Sequence, residues 1–366
     1  MKNKIIISFL LSLSLSQAFA VTDQITFAKS YLAKISSSQN NDTLVNKSPV
    51  VAFAPNKELK AGNKNELLKI LQEQVGLETT GIMDKETMSY LKEFQKQNDL
   101  NMTQTLDYNT WFAMFDQNLD WKTKTVQNAQ KNWEDILNKQ ALAKTKKFIV
   151  VNIPTMTLTA YDWDGNEAHE ALSSRVVVGK AKTQTQLKDF QIISIKYNPT
   201  WTPTDGILKR GAYKNGKLDL NWVKSHGLRV LDENGENVDL SDVNIHQKYR
   251  FQQPAGDRNA LGVLKFETNS PDNIYLHDTN EKHYFGYNTR IYSSGCIRVQ
   301  EFKDLANWIR NADDVNEKLK KKDTYYEKVN KTPFYLTYNQ VAFYGSDEPF
   351  FAPDVYNINN NTELKK

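Results

Sequence analysis

A single cysteine, Cys296, occurs in the 366 residues, so no disulfide can form within the chain. Glycine (15) and proline (10) are sparse, which excludes collagen-like and proline-rich linker architectures. No uninterrupted apolar run approaches the roughly 20 residues needed to cross a bilayer. Lys and Arg (47) nearly balance Asp and Glu (43), for a formal net charge of +4. Beyond Lys318 and Lys320–Lys322 no basic cluster stands out, so nucleic acid is a poor fit as a partner. What is present is aromatic: 7 Trp, 17 Tyr and 17 Phe in a chain that is 39% hydrophobic. That is too apolar for a disordered protein, and the length suits two domains of about 150 residues each.

Residues 1–20 read as a secretory signal. Lys2 and Lys4 form a positive start, Ile5 to Leu15 an apolar core, and Ala18-Phe19-Ala20 a small-residue cleavage site. The core, about 11 residues, is too short for a membrane anchor, and no cysteine near the cleavage point could carry a lipid. The expectation is an exported, periplasmic protein with no transmembrane segment and at most a peripheral association with the wall. A lone thiol in an oxidising compartment is then either a small buried hydrophobe or a reactive group.

Val21 to about residue 60 is rich in Ser, Asn and Lys, with one helical patch (Phe27, Tyr31, Leu32, Ile35) and a linker-like stretch from Ser36 to Asp42. Residues 61–117 contain a weak repeat. Leu67, Leu71 and Val75 follow helical spacing, and Gly81-Ile82-Met83-Asp84 precedes a helix with Asp84 as N-cap and Met88, Leu91 and Phe94 on one face. The pattern recurs 23 residues later as Gln104-Thr105-Leu106-Asp107, ahead of Thr110, Trp111, Phe112 and Phe115. Residues 118–146, with Trp121, Trp133, Ile136 and Leu137, read as a helical connector.

From Lys147 the period changes to two. Strands are expected at 148–153, 157–161, 175–179, 191–197, 249–253, 263–267, 274–277, 334–338 and 342–344, with Asp162-Trp163-Asp164-Gly165 as a hairpin turn. The fold class is therefore α+β: a mostly β domain over 147–315, a sandwich or partly closed sheet, behind a small N-terminal helical domain. The polar stretch 201–248 is long for a loop and reads as an insertion over a site. An amphipathic helix follows Arg298, carrying Phe302, Leu305, Ala306, Trp308 and Ile309. Residues 316–366 supply C-terminal strands and a tail, frayed from Asn357.

The chemistry concentrates in Tyr275-Leu276-His277-Asp278 and Ser293-Ser294-Gly295-Cys296-Ile297-Arg298. A thiol attacks a carbonyl as thiolate and needs a base or cation nearby. His277 can supply the base, Gly295 a sharp turn, backbone N–H groups an oxyanion site, and Arg298 a charge that favours the thiolate or holds a substrate carboxylate. Taken by spacing alone, a buried structural cysteine with an unrelated histidine remains open. His226, His246 and His283 lack zinc-binding spacing, so no metal site is expected.

His277, eighteen intervening residues, then Gly295-Cys296-Ile297-Arg298 resembles the signature of the L,D-transpeptidases, wall cross-linking enzymes of the YkuD type. Ser174 to Gly179, Asn198 to Trp201, Phe251 to Gln253, Asp257 to Gly262, Lys265-Phe266, Tyr275 to Thr279 and Asp304 to Ala306 are similar to their large YcbB-like branch. The stretch from Leu71-Gln72 to Thr110-Trp111 resembles a peptidoglycan-binding helical module, with Gln104 where that family has Gly. The resemblance implies Cys296 as nucleophile, His277 as general base and acid, Asp278 orienting His277 through its backbone carbonyl, and Gly295 and Cys296 N–H groups as oxyanion donors. Arg298, Ser294, Ser293, Tyr275 and Trp201 would line the substrate cleft, and 201–248 would cap it. It further implies stem peptides of peptidoglycan as partners, acylation by carbapenems, and no cofactor.

The implied reaction releases D-Ala from a tetrapeptide stem and passes the acyl group to a diaminopimelate amine, a 3→3 cross-link. With water as acceptor the same residues make an L,D-carboxypeptidase or endopeptidase. With a protein lysine they attach that protein to the wall. A wall-binding scaffold with a vestigial second domain is the non-enzymatic alternative, and the complete His277, Cys296 and Arg298 set argues against it.

Overall fold

The computed structural model describes residues 21–38, 58–98, 100–115, 119–215, 217–243, 249–287, 289–344, 349–352, 354–356 and 358. The expected signal at 1–20, residues 39–57 of the stretch to about 60 expected as linker and helical scaffold, and nearly all of the tail from Asn357 lie outside them. Among the described residues no helix is long and apolar enough to cross a membrane.

The first helix, α1 (Val21–Ser38), runs through the start of the stretch expected to be linker. Helices α2 (Glu66–Val75), α3 (Lys85–Gln97) and α4 (Tyr108–Phe115) make the small unit, around Leu68, Leu71, Met83, Leu91, Leu106 and Trp111. Its repeat is written in hydrogen bonds. The buried Gln72 amide accepts from Gly81 N–H (2.8 Å) and donates to Thr87 Oγ1 (2.9 Å) and the Ile82 carbonyl (2.9 Å). Gln95 does the same with Gln104 N–H (3.0 Å), Thr110 Oγ1 (2.8 Å) and the Thr105 carbonyl (3.0 Å). Gln104 holds φ 57° where Gly81 holds φ 68°. The buried amide thus enforces the left-handed turn despite the Cβ penalty of about 1–2 kcal/mol.

Helix α5 (Leu119–Ala143) is no loose connector. Val126 and Ala129 pack with Ala28, Tyr31 and Ile35 of α1 and with Val341, Phe343 and Phe351. Trp133 and Ile136 cover Phe148, Val150, Tyr161 and Tyr335.

The large sheet has nine strands: β1 (Lys147–Asn152), β2 (Thr157–Trp163), β3 (Ala168–Gly179), β4 (Phe190–Tyr197), β5 (Leu264–Thr268), β6 (Leu276–His277), β7 (Ile291–Ser293), β8 (Ile297–Val299) and β9 (Tyr325–Thr337). Their order is β7-β3-β8-β6-β5-β4-β9-β1-β2, and β2 pairs back onto β3. Strand β3 closes the ladder because its length is divided: Ala168 to Arg175 pair with β2, while Val176 and Val177 pair with β8. A closed ladder has two faces and both are used. In β1, Ile149 and Val151 point into the enclosed core while Phe148 and Val150 meet α5. That is why β1 reads as an unbroken apolar run.

Helices α6 (Asp205–Gly211) and α7 (Leu220–Ser225), with a three-stranded sheet of residues 229–231, 237–238 and 250–252, form the insertion. It has its own core of Ala212, Leu218, Val223, Leu228, Val230 and Phe251. The strand expected at 249–253 belongs here and not to the large sheet. Helix α8 (Phe302–Arg310) buries Phe302, Leu305, Ala306 and Ile309. Strand β9 begins at Tyr325, nine residues ahead of the stretch expected from the sequence, because Glu327, Asn330 and Lys331 interrupt its apolar pattern.

Candidate active site

Strands β6 and β8 are parallel neighbours, with Leu276 opposite Ile297 and His277 opposite Arg298. Leu276 and Ile297 are fully buried in the core. Side chains alternate along a strand, so Tyr275, His277, Cys296 and Arg298 all leave the other face. On the far side of β6, Lys265 of β5 pairs with His277 and shares that face. The constellation therefore follows from register. A one-residue slip would send the imidazole into the core and Leu276 out.

His277 is buried (5% exposed) and its Nδ1 is hydrogen-bonded to the Asp278 backbone carbonyl. That bond requires Nδ1–H, leaving Nε2 as the ring's acceptor. The Asp278 carboxylate does something else. It accepts from Val263 N–H (3.0 Å) and pairs with Lys282, pressed so close to Gly262 that a Cβ there would sit 2.2 Å from Oδ2. Asp278 N–H donates to the Leu264 carbonyl (2.9 Å). The residue after the histidine is thus anchored on both sides, which fixes the carbonyl that orients the ring.

The thiol sits on a turn held from within. Gly295 takes φ +123°, a conformation L side chains rarely adopt. Ser293 is buried; its hydroxyl donates to the Cys296 carbonyl (2.6 Å) and accepts from Gly295 N–H (3.1 Å). Thr185 Oγ1 donates to the Gly295 carbonyl (2.8 Å) and accepts from Gly179 N–H (2.9 Å). Tyr356 then closes the network from the C-terminal end, donating to the Gly179 carbonyl (2.8 Å) and accepting from Thr185 N–H (3.2 Å).

Three expectations change here. Ser293, expected to line the cleft, is part of the turn, with its hydroxyl bonded internally. The Gly295 N–H is likewise engaged, so of the two N–H groups expected as oxyanion donors only that of Cys296 is without a partner among the described residues. Trp201, expected to line the cleft, bridges to Gln253 (N–H to carbonyl, 3.1 Å) and packs against the insertion's core. Ser294 is exposed beside Cys296.

Several partners have no signal in the spacing. Arg298 Nη1 is paired with Glu281 Oε2 at 2.7 Å. The Lys265 ammonium lies 3.8 Å from the Tyr275 ring centroid and 2.8 Å from Glu267. Tyr275 lies beside the sulfur, close enough for its N–H and hydroxyl to stabilise a thiolate, and stands edge-on to the imidazole at 5.7 Å. Burial and the neighbouring thiol push the Tyr275 phenol far up, so it stays protonated as a donor. Among the described residues no group of three His, Cys, Asp or Glu could hold a metal ion.

The electrostatics define the resting state. Burial, then Arg298, then Lys265 and Lys282 bring His277 down to about 3 against the opposing pull of its bond to Asp278. Burial pushes the Cys296 thiol up, opposed by Tyr275, Lys265 and Arg298. A depressed histidine and a raised thiol mean neutral imidazole and neutral thiol at neutral pH, not an ion pair. The thiol donates to the Asn273 carbonyl at 3.5 Å, so transfer to Nε2 requires that bond to be given up, as is common before substrate is bound. Alkylation of Cys296 by iodoacetamide should therefore rise about tenfold per pH unit from pH 6 to 8, following the thiolate fraction. A rate already on a plateau across that range would reveal a preformed thiolate–imidazolium pair.

Comparison with known proteins adds the class. Residues 146–323 match the YkuD family, the L,D-transpeptidase catalytic domain. A Haemophilus influenzae protein described as "Putative L,D-transpeptidase" is 31% identical over 227 residues, 59% of this chain and 45% of its own length. The chain thus spans less than half of that relative. Among solved structures, an Enterococcus faecium L,D-transpeptidase mutant is 14% identical over 53% of this chain and 50% of its own, with TM-score 0.26. Mycobacterium tuberculosis L,D-transpeptidase 1 is 11% identical over 52% and 61%, with TM-score 0.22. At scores this low the structural likeness adds nothing to the assignment. Residues 146–323 thus form a YkuD-type domain, similar to the catalytic domain of the L,D-transpeptidases.

Proposed function

We propose that the protein is an exported, periplasmic cell-wall enzyme in which Cys296 transfers an acyl group between peptidoglycan stem peptides. The observation that carries the proposal is the shared face of β6 and β8, where strand register sets Cys296 and Arg298 alongside Tyr275 and a tautomer-fixed His277. In this reading Cys296 Sγ–H gives its proton to His277 Nε2 as the sulfur bonds to the carbonyl carbon of the third stem residue. The developing oxyanion is met by the Cys296 N–H and the Tyr275 hydroxyl. As the C–N bond breaks, His277 returns the proton to the departing D-Ala amine.

The thioester then meets the side-chain amine of a second stem, whose proton passes to His277 and on to the released thiolate, giving a 3→3 cross-link. Arg298 uses one nitrogen on Glu281, and its others remain to hold a substrate carboxylate. Asp278 acts through its backbone, by orienting His277. No step in this scheme needs a cofactor. Carbapenems should acylate Cys296 by the same attack. The unit at 61–117 is proposed as a peptidoglycan-binding module.

A muropeptide digest after incubation with the full chain tests the reading. Dimers joined through diaminopimelate are expected, with free D-Ala. Shortened tripeptides alone would make the enzyme a carboxypeptidase, a wall-linked protein would identify a lysine acceptor, and unaltered stems would overturn the proposal.

A further inference from the structure

Next to Arg298 lies a cluster of rings that the acyl transfer does not use. Tyr284 comes from the turn Lys282–Gly286, Tyr287 from the residue after it, and Tyr292 from β7. Tyr284 and Tyr292 stack with centroids 4.4 Å apart, and His283 lies 4.2 Å from Tyr284. Tyr287 stands edge-on to both, at 5.7 and 5.8 Å, and is 46% exposed. The segment is clamped from beneath. Arg290, 5% exposed, donates to the carbonyls of Tyr287 (2.8 Å), Met156 (2.9 Å) and Val176 (3.1 Å), and Arg175 donates to that of Phe285 (2.8 Å).

This shelf joins the reactive face through one residue: the Arg298 guanidinium lies 5.6 Å from the Tyr284 ring centroid. An exposed, rigid aromatic surface with phenol hydroxyls at its rim and a cation at its edge suits a ligand that is apolar on one face and polar around it. A pyranose ring is such a ligand. The spacing also fits. Arg298 is two residues beyond Cys296, about 7 Å along the strand, and its side chain reaches from there to the Tyr284 ring, so the shelf begins on the order of 10 Å from the sulfur. Three to four extended residues span that distance, which is how far a sugar sits from the scissile bond of a stem attacked at its third residue.

We propose that Tyr287, buttressed by Tyr284 and Tyr292, is a stacking subsite for the N-acetylated hexosamine that carries the donor stem. The enzyme thereby selects glycan-linked stems over free peptides. The inference rests on the acyl-transfer reading, and its test separates the two. D-Ala release by the full chain is measured from a disaccharide-tetrapeptide and from the same tetrapeptide without sugar, for the wild type, Tyr287→Ala and Tyr287→Phe. The wild type should prefer the glycan-linked donor by about tenfold in kcat/KM, the gain expected from burying one ring face. The ratio should fall to about one in Tyr287→Ala and return in Tyr287→Phe.

Equal use of both donors by the wild type, or a preference that survives Tyr287→Ala and so originates elsewhere, for instance at 61–117, overturns the subsite and leaves the acyl-transfer reading standing. Release from neither donor overturns the acyl-transfer reading itself, and the subsite with it.

Discussion

Cys296→Ala is expected to take D-Ala release below detection, a loss of at least about 10⁴-fold, since no other group in the site can carry the acyl chain. The same change should barely touch stability. Cys296 is only half-buried and its sulfur makes one long bond to Asn273, while the turn is held by Ser293, Thr185 and Tyr356. Removing Sγ should cost no more than about 1 kcal/mol, read as an unfolding midpoint within a few degrees of wild type. Retained turnover would refute the nucleophile assignment; lost turnover with a collapsed midpoint would make the thiol structural.

His277→Ala should cost about 10³–10⁴-fold in kcat/KM, near the upper range for loss of a positioned general base. The sign follows from the resting state. With His277 already neutral at every pH above its depressed value of about 3, lowering the pH from 8 to 5 does not protonate the base, so the wild-type profile should show no acid limb near the ordinary histidine range. An acid limb near pH 6–7 would mean that the imidazole is solvated during turnover. Because His277 is buried, its removal also disturbs packing, and a second measurement keeps the two effects apart. Added imidazole should restore part of the activity of His277→Ala if proton transfer is what was lost. It should do nothing if the strand pair has come apart, nor should it rescue Cys296→Ala.

The motif residues were legible because they are local. A strand-ending His277-Asp278 and a Gly295-Cys296 turn need only their immediate neighbours to be recognised, and the helices around Asp84 and Phe302 announce themselves by caps and period. The partners were not legible, because each is set by pairing across strands or by a loop returning from elsewhere. Lys265 meets His277 through the β5–β6 register, Glu281 reaches Arg298 from the loop that follows β6, and Tyr356 arrives from the far end of the chain. Ser293 shows the converse. The family resemblance implied a place in the cleft, and the structure shows its hydroxyl bonded within the turn, to the Cys296 carbonyl and the Gly295 N–H.

The amino-acid order alone determined which groups could do chemistry and how the local chain presents them: one thiol, one imidazole at a strand end, a glycine turn between thiol and strand. Tertiary structure alone decided their ionisation and their company. Burial keeps both the imidazole and the thiol neutral at rest, while the converging cations reinforce that state at the imidazole and oppose it at the thiol. The closure of the ladder through a divided β3 decides which residues stand beside them, because register over long separations is set by packing of the enclosed core.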